Sequence, residues 1–95
     1  MFSIEGKTPR WSTQIASDLD RDGMCFELVD VRGEVVAEAF ACDADNTASV
    51  TLWPSERHIP DEVLDWFLPM AFERLGKFED GTPLPPLEEW PITRK

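Results

Sequence analysis

The sequence predicts an α+β fold, in which a four-stranded antiparallel β-meander is followed by one α-helix packed on one face of the sheet. Two patterns support this prediction. In residues 24–42, every second position on either side of a turn that contains glycine carries an apolar side chain, which is typical of a β-hairpin. Residues 60–75 carry apolar side chains between a proline and a glycine, which is typical of a helix with a marked start and stop.

The hairpin within residues 24–42 is expected to turn at Arg32 and Gly33, so that Val31 pairs with Glu34. One face then carries large residues opposite alanines, in the pairs Met24–Ala41, Phe26–Ala39 and Leu28–Ala37. The other face carries the pairs Cys25–Phe40, Glu27–Glu38 and Val29–Val36. Because like charges directly opposite one another are unfavourable when buried, this second face is expected to be the wetter one.

A first strand is expected over residues 10–17. If Asp18 lies opposite Gly23, then Trp11 and Ile15 fall on the apolar face of the hairpin. The agreement between the side-chain pattern and the turn supports this register.

A fourth strand is expected over residues 48–53, with Val50 and Leu52 towards the core. It completes a meander over residues 10–53. Proline follows this strand directly and cannot donate to a sheet ladder, so the sheet is expected to end there.

The helix is expected over residues 60–75, with a kink at Pro69 or, as an alternative, two helices that meet there. Its apolar residues cover about two-thirds of the circumference, whereas a surface helix needs a stripe of ~100° or more. A small sheet cannot cover that surface, so either the C-terminal tail or a second subunit is expected to do so. The tail, residues 78–95, contains four prolines and is expected to be extended and polyproline-like.

The chain of 95 residues is expected to form one domain over residues 1–95, with a lead-in over residues 1–9. Its formal net charge of −10 disfavours nucleic acid and anionic membranes as partners, because both require a cationic surface. The start of the chain lacks the pattern of a signal peptide, and no apolar run approaches the ~20 residues of a membrane span. A cytoplasmic location is the expectation, with Cys25 and Cys42 both reduced.

The segment 18–23 resembles the first half of a calcium-binding loop, because Asp18, Asp20 and Asp22 alternate before a glycine. The position that should hold a bidentate glutamate is Val29, and the flanking segments are predicted strands. An aspartate-rich segment that ends in a glycine is also ordinary in a turn between two strands. The sequence therefore predicts no metal site, and these three aspartates remain the one calcium candidate.

No catalytic constellation is evident. His58 is the single histidine, and no serine or cysteine pairs with it in a recognisable arrangement, so a surface position near the helix start is expected. The pair Glu27–Glu38 would hold two carboxylates close together, but a solvated face without a cleft is the expected setting. The sequence predicts neither enzymatic activity nor a cofactor.

These observations predict a small acidic, non-catalytic protein–protein interaction or regulatory domain that forms a homodimer. The alternative is an acidic inhibitor or immunity-type protein that neutralises a basic partner. Acidic and aromatic side chains are the candidate partner-binding residues. They are Glu27, Glu38, Phe40, Trp53, Trp66, Phe72 and Trp90.

Overall fold

A computed structural model describes residues 11–53 and 59–95 of the chain. In chain order its elements are β1 (Ser12–Asp18), β2 (Gly23–Val29), β3 (Val35–Cys42), β4 (Thr47–Leu52), α1 (Asp61–Leu75), a 3-10 turn (Leu87–Glu89) and β5 (Ile92–Arg94). The strands form one sheet in the order β1-β2-β3-β4-β5, which confirms the predicted α+β class. The predicted lead-in, Arg10 and the loop with His58 lie outside the described residues.

Strands β1 to β4 form the predicted antiparallel meander. Asp18 lies opposite Gly23 and Ile15 opposite Phe26. The predicted pairs Met24–Ala41, Phe26–Ala39, Leu28–Ala37, Cys25–Phe40 and Glu27–Glu38 are all present. Val50 and Leu52 are buried in the core, as expected.

The turn between β2 and β3 differs from the prediction. Val29 pairs with Val35 after an irregularity in the ladder, so the predicted pairs Val29–Val36 and Val31–Glu34 are wrong. The cause is Asp30, whose Oδ1 accepts hydrogen bonds from the backbone N–H groups of Arg32 and Glu34, at 2.9 and 3.0 Å. An aspartate that bonds the following backbone in this way closes a longer turn than the two-residue one expected.

The fifth strand comes from the tail. β5 runs parallel to β4, where the N–H of Val50 donates to the carbonyl of Pro91 at 2.8 Å and the N–H of Lys95 to the carbonyl of Leu52 at 2.9 Å. Within residues 11–53 and 59–95 the sheet therefore has five strands rather than four. The tail is extended only in part, because it also contains the 3-10 turn.

The helix α1 follows Pro60 and ends at Gly76, whose φ of 73° suits glycine and whose N–H donates to the carbonyl of Phe72 at 3.2 Å. Pro69 lies inside the helix. A bend of the axis there stays a prediction. The helix lies across β2 and β3, and it buries Val63, Phe67, Ala71 and Leu75.

The centre of the core is a ring contact between the sheet and the helix. The rings of Phe26 and Phe67 stack with centroids 5.5 Å apart, and both side chains are fully buried. The alanines opposite the large residues of β2 leave room for this approach. No helix within the described ranges is both long enough and apolar enough to cross a membrane.

The tail folds back onto the helix. Leu84 and Trp90 are buried, and the ring of Trp90 lies 6.1 Å from that of Phe72. The indole N–H of Trp90 donates to the carbonyl of Pro85 at 2.9 Å. The tail thus covers part of the helix surface that the small sheet leaves open.

Candidate functional site

The sheet face opposite the helix, here called the outer face, carries Cys25, Glu27, Glu38 and Phe40. Its organising residue is Arg21, which lies in the turn between β1 and β2. The backbone N–H of Arg21 donates to Oδ1 of Asp18 at 3.1 Å, and its Nε donates to Oδ2 of the same carboxylate. This local pairing lowers the pKa of Asp18 and aims the guanidinium over the sheet.

The guanidinium of Arg21 makes a bidentate ion pair with Glu38. Its Nη1 and Nη2 donate to Oε1 and Oε2 at 3.0 and 2.8 Å, and its Cζ lies 4.2 Å from the ring centroid of Phe40. The hydrogen bonds to Glu38 raise the pKa of Arg21. Glu38 is only 5% exposed, so the face that was expected to be solvated is buried at this residue. The arginine makes this possible because it compensates the negative charge of the buried carboxylate.

Cys25 lies beneath the same guanidinium, with its Sγ 3.4 Å from Nη2 of Arg21. Burial, reinforced by the negative charge of Glu38, raises the pKa of the Cys25 thiol to about 12. The thiol is therefore protonated near neutral pH and unsuited to nucleophilic chemistry.

Glu27 and Glu38 lie opposite each other, but their carboxylates bond to different partners. Glu27 accepts a hydrogen bond from the side-chain amide of Gln14 at 2.7 Å, whereas Glu38 is held by Arg21. Each carboxylate thus has its own partner. A shallow depression of about 450 Å³ lies beside them, and its lining includes Asp18, Arg21, Cys25, Glu27 and Glu38.

A second group of acids lies at the end of the sheet. Carboxylate oxygens of Asp22, Asp43 and Glu79 all lie within 4.8 Å of one another. Asp43 is already an acceptor, since its Oδ1 receives the backbone N–H of Glu79 at 2.8 Å. The predicted calcium candidates are not brought together, because Asp18 pairs with Arg21 while Asp22 joins this second group.

The acidic group borders a depression of about 320 Å³ whose lining also includes Leu19, Met24, Leu75 and Lys77. Oxygen ligands of this kind suit hard cations. Exposed acids are also common where no ion binds, and nothing further among the described residues that line the depression marks a ligand. Two residues of its lining, Leu19 and Met24, are also part of an exposed apolar surface beside β1.

That surface, here called the β1 margin, consists of Ile15, Leu19 and Met24. Their exposed fractions are 42%, 90% and 37%. The helix packs on β2 and β3 and makes no close approach to β1 within the described residues. Since Ile15 lies opposite Phe26, it shares the face of the sheet on which the helix packs, but beyond the helix's reach.

The predicted partner-binding residues do not form one surface. Glu27, Glu38 and Phe40 belong to the outer face, and Phe72 and Trp90 contact each other between helix and tail. Trp66 is partly buried against the core, and Trp53 is half-buried after β4. Phe72 retains 37% exposure, whereas Trp90 is buried and is not available to a partner in this conformation.

Sequence reasoning missed Arg21 and the β1 margin. A signal for each was present. Arg21 is the one basic residue in the acidic segment 18–23, and the first strand of a meander is an edge strand that a single helix over the central strands does not cover.

Comparisons of this chain with protein-family models, with curated proteins and with solved structures each find no match.

Proposed function

We propose that the chain is a small acidic, non-catalytic interaction domain with a regulatory role, and that it forms a homodimer. The observation that carries this proposal is the β1 margin. Ile15, Leu19 and Met24 present apolar surface at the side of the sheet that the helix leaves open. Clustered apolar side chains at an uncovered sheet margin are typical of a protein-binding surface.

A non-catalytic role is supported by the state of the reactive groups on the outer face. Glu38 is paired with Arg21, Glu27 with Gln14, and the thiol of Cys25 is shielded from ionisation. Groups held in this way stabilise the fold and have little freedom to transfer protons. The two free cysteines favour the proposed cytoplasmic location.

The dimer is tested by measuring the molar mass by light scattering across a wide range of protein concentrations. We expect the mass to rise from near 10.8 kDa to twice that value as the concentration increases. A mass that stays monomeric at millimolar concentration contradicts the homodimer. A second measurement, sedimentation velocity, separates a dimer from an elongated monomer.

The second candidate is an acidic inhibitor or immunity-type protein that neutralises a basic partner. It is favoured by the net charge of −10 and by the group of Asp22, Asp43 and Glu79 beside an apolar floor. Such a surface suits a lysine or arginine side chain with its aliphatic stem.

A capture experiment from the native cell at low and high salt tests this candidate. The variant Asp22→Asn with Glu79→Gln should lose a basic partner, whereas the matched charge removal Asp61→Asn with Glu62→Gln at the helix start should retain it. Binding that is unchanged by salt, or equal for both variants, argues against neutralisation of a basic partner.

A further inference from the structure

The outer edge of β1 has no strand beside it within the described residues, where β2 is the only strand that pairs with β1. Backbone hydrogen-bonding groups point alternately to the two sides of a strand. The N–H of Asp43 donates to the carbonyl of Asp22 at 2.8 Å. In the same register, even-numbered residues of β2 bond to β3, and odd-numbered ones therefore bond to β1.

The alternation continues into β1. The odd-numbered residues of β2 lie opposite Ser12, Gln14, Ala16 and Asp18, so these four bond to β2. The N–H and C=O groups of Thr13, Ile15 and Ser17 consequently point to the free edge. The hydrogen bond from the N–H of Trp53 to the carbonyl of Val36, at 3.0 Å, fits the same alternation on the far side of β3.

This edge lacks the features that normally prevent strands from pairing between molecules. β1 is seven residues long and contains no proline or lysine, and its register with β2 has no bulge. Residues 12–17 are uncharged, in a chain whose net charge is −10. Natural edge strands are usually protected by charge, proline, bulges or short length.

We propose that β1 pairs antiparallel with β1 of a second copy about a twofold axis through Ile15, so that the two sheets join into one. This deepens the proposed function and rests on it. In this register Ile15 lies opposite Ile15 of the partner subunit, and Thr13 opposite Ser17 of the partner subunit. All three outward-pointing residues then meet one another, and each hydrogen-bonded pair exchanges two N–H···O bonds.

A second copy suits this edge better than a different protein because the strand is complementary to itself. A shift by one residue pairs outward groups with inward ones, and a shift by two carries an outward residue past the strand end. The one charged residue of β1, Asp18, is already paired with Arg21 and lies opposite Ser12 of the partner subunit. No like charges therefore meet along the strand.

The side chains favour the same arrangement. Ile15 and Met24 are diagonal neighbours on the helix side of the sheet, and both are exposed in the single chain. Pairing about Ile15 places the two isoleucines side by side on the helix side of the joined sheet, in one row with the buried Phe26 of each copy. Each Ile15 is thus covered on its open side by its own counterpart.

The test uses the full chain and replaces the residue at the proposed twofold axis, Ile15, by a charged residue. Ile15→Lys places two lysines directly opposite one another, and Ile15→Glu places two glutamates there. Each variant alone is expected to raise the dimer dissociation constant at least about tenfold. An equimolar mixture of the two is expected to restore the dimer mass, because position 15 meets itself only on this axis.

The matched control is Ile92→Lys, which changes the charge equally at an exposed position on β5, the opposite edge of the sheet. It should leave dimerisation unchanged, and circular dichroism should show that every variant is folded. A wild-type chain that stays monomeric overturns both the homodimer and this interface. A wild-type dimer that survives Ile15→Lys, or a mixture that stays monomeric, overturns the β1 interface alone.

Discussion

Arg21 and Glu38 join two parts of the sheet that lie 17 positions apart in the chain. The guanidinium reaches from the β1–β2 turn across the outer face to β3 and closes over the thiol of Cys25 and the ring of Phe40. A buried carboxylate that is held by two charge-assisted hydrogen bonds is stabilised only while its partner is present. This ion pair therefore links the conformation of the turn to the integrity of the outer face.

Replacing Arg21 by methionine should destabilise the fold. The variant keeps an apolar stem over Phe40 but leaves Glu38 buried without a counter-charge. Because the arginine side chain is 47% exposed, we expect a loss of about 1–3 kcal/mol in the free energy of unfolding. Urea denaturation followed by tryptophan fluorescence measures it. The control is Arg94→Met on the exposed strand β5, which should change stability by less than about 0.5 kcal/mol.

The same ion pair predicts a double-mutant result. If Arg21 acts mainly on Glu38, then Glu38→Met in the Arg21→Met background should recover part of the lost stability, since no buried charge remains. Additive losses in the two single variants and the double variant would show that the two side chains stabilise the fold independently.

Gly23 should not tolerate a side chain. A Cβ at this position would lie 2.2 Å from the carbonyl oxygen of Ala41 and 2.7 Å from a ring carbon of Phe40. Gly23→Ala is therefore expected to lower the free energy of unfolding by about 1–3 kcal/mol, because β3 or the ring of Phe40 must be displaced.

The control for this effect is Gly33→Ala. Gly33 has a φ of 83° and open space around it, so its substitution introduces backbone strain without a clash. Thermal denaturation should place Gly23→Ala below Gly33→Ala in melting temperature. The reverse order would show that the close packing at Gly23 relaxes at little cost.

The thiol of Cys25 should make stability depend on alkaline pH. Its pKa is raised to about 12 by burial and by Glu38, whereas a cysteine in the unfolded chain titrates near 8.5. Between these values the unfolded state loses a proton that the native state keeps, so stability falls as the pH rises. The contribution is complete below pH ~8.5, and its loss has a slope of at most about 1.4 kcal/mol per pH unit.

The measurement compares urea denaturation of the wild type and Cys25→Ala between neutral pH and pH ~11, where the unfolded thiol ionises. The difference in the free energy of unfolding between the wild type and Cys25→Ala should shrink as the pH rises, because the variant lacks the group that ionises on unfolding. Cys42→Ala is the control, and should follow the wild type more closely. If the difference in unfolding free energy between the wild type and Cys25→Ala does not change with pH, burial does not raise the pKa of the Cys25 thiol.

The sequence was informative where side chains alternate, and less so where a single polar residue decides the backbone. The registers of β1 with β2 and of β2 with β3 up to Leu28 follow from apolar residues opposite alanines. The turn beyond Leu28 depends on Asp30, whose carboxylate bonds to two backbone N–H groups. A pattern of apolar spacing carries no information about that choice.

The candidate surfaces show the same division. Arg21 reaches Glu38 because the turn aims its side chain across the sheet, and that direction is a three-dimensional property. β5 was missed because three residues beside a 3-10 turn are too short for a periodic signal. The wide apolar surface of the helix predicts a cover, but whether the tail or a second subunit supplies it depends on packing that the sequence pattern does not contain.

The contact between the tail and the helix leads to the final prediction, because Trp90 is the side chain that fastens the tail. It is buried, its ring lies against Phe72, and its indole N–H donates to the carbonyl of Pro85.

Trp90→Ala should cost about 3–5 kcal/mol in stability and expose the helix face around Phe72. Increased binding of a hydrophobic dye would reveal that exposure. Ile92→Ala, two positions on and 54% exposed, should cost less than about 1 kcal/mol. If both substitutions have equally small effects, the tail is not a structural cover, and the helix surface beneath it becomes available to a partner.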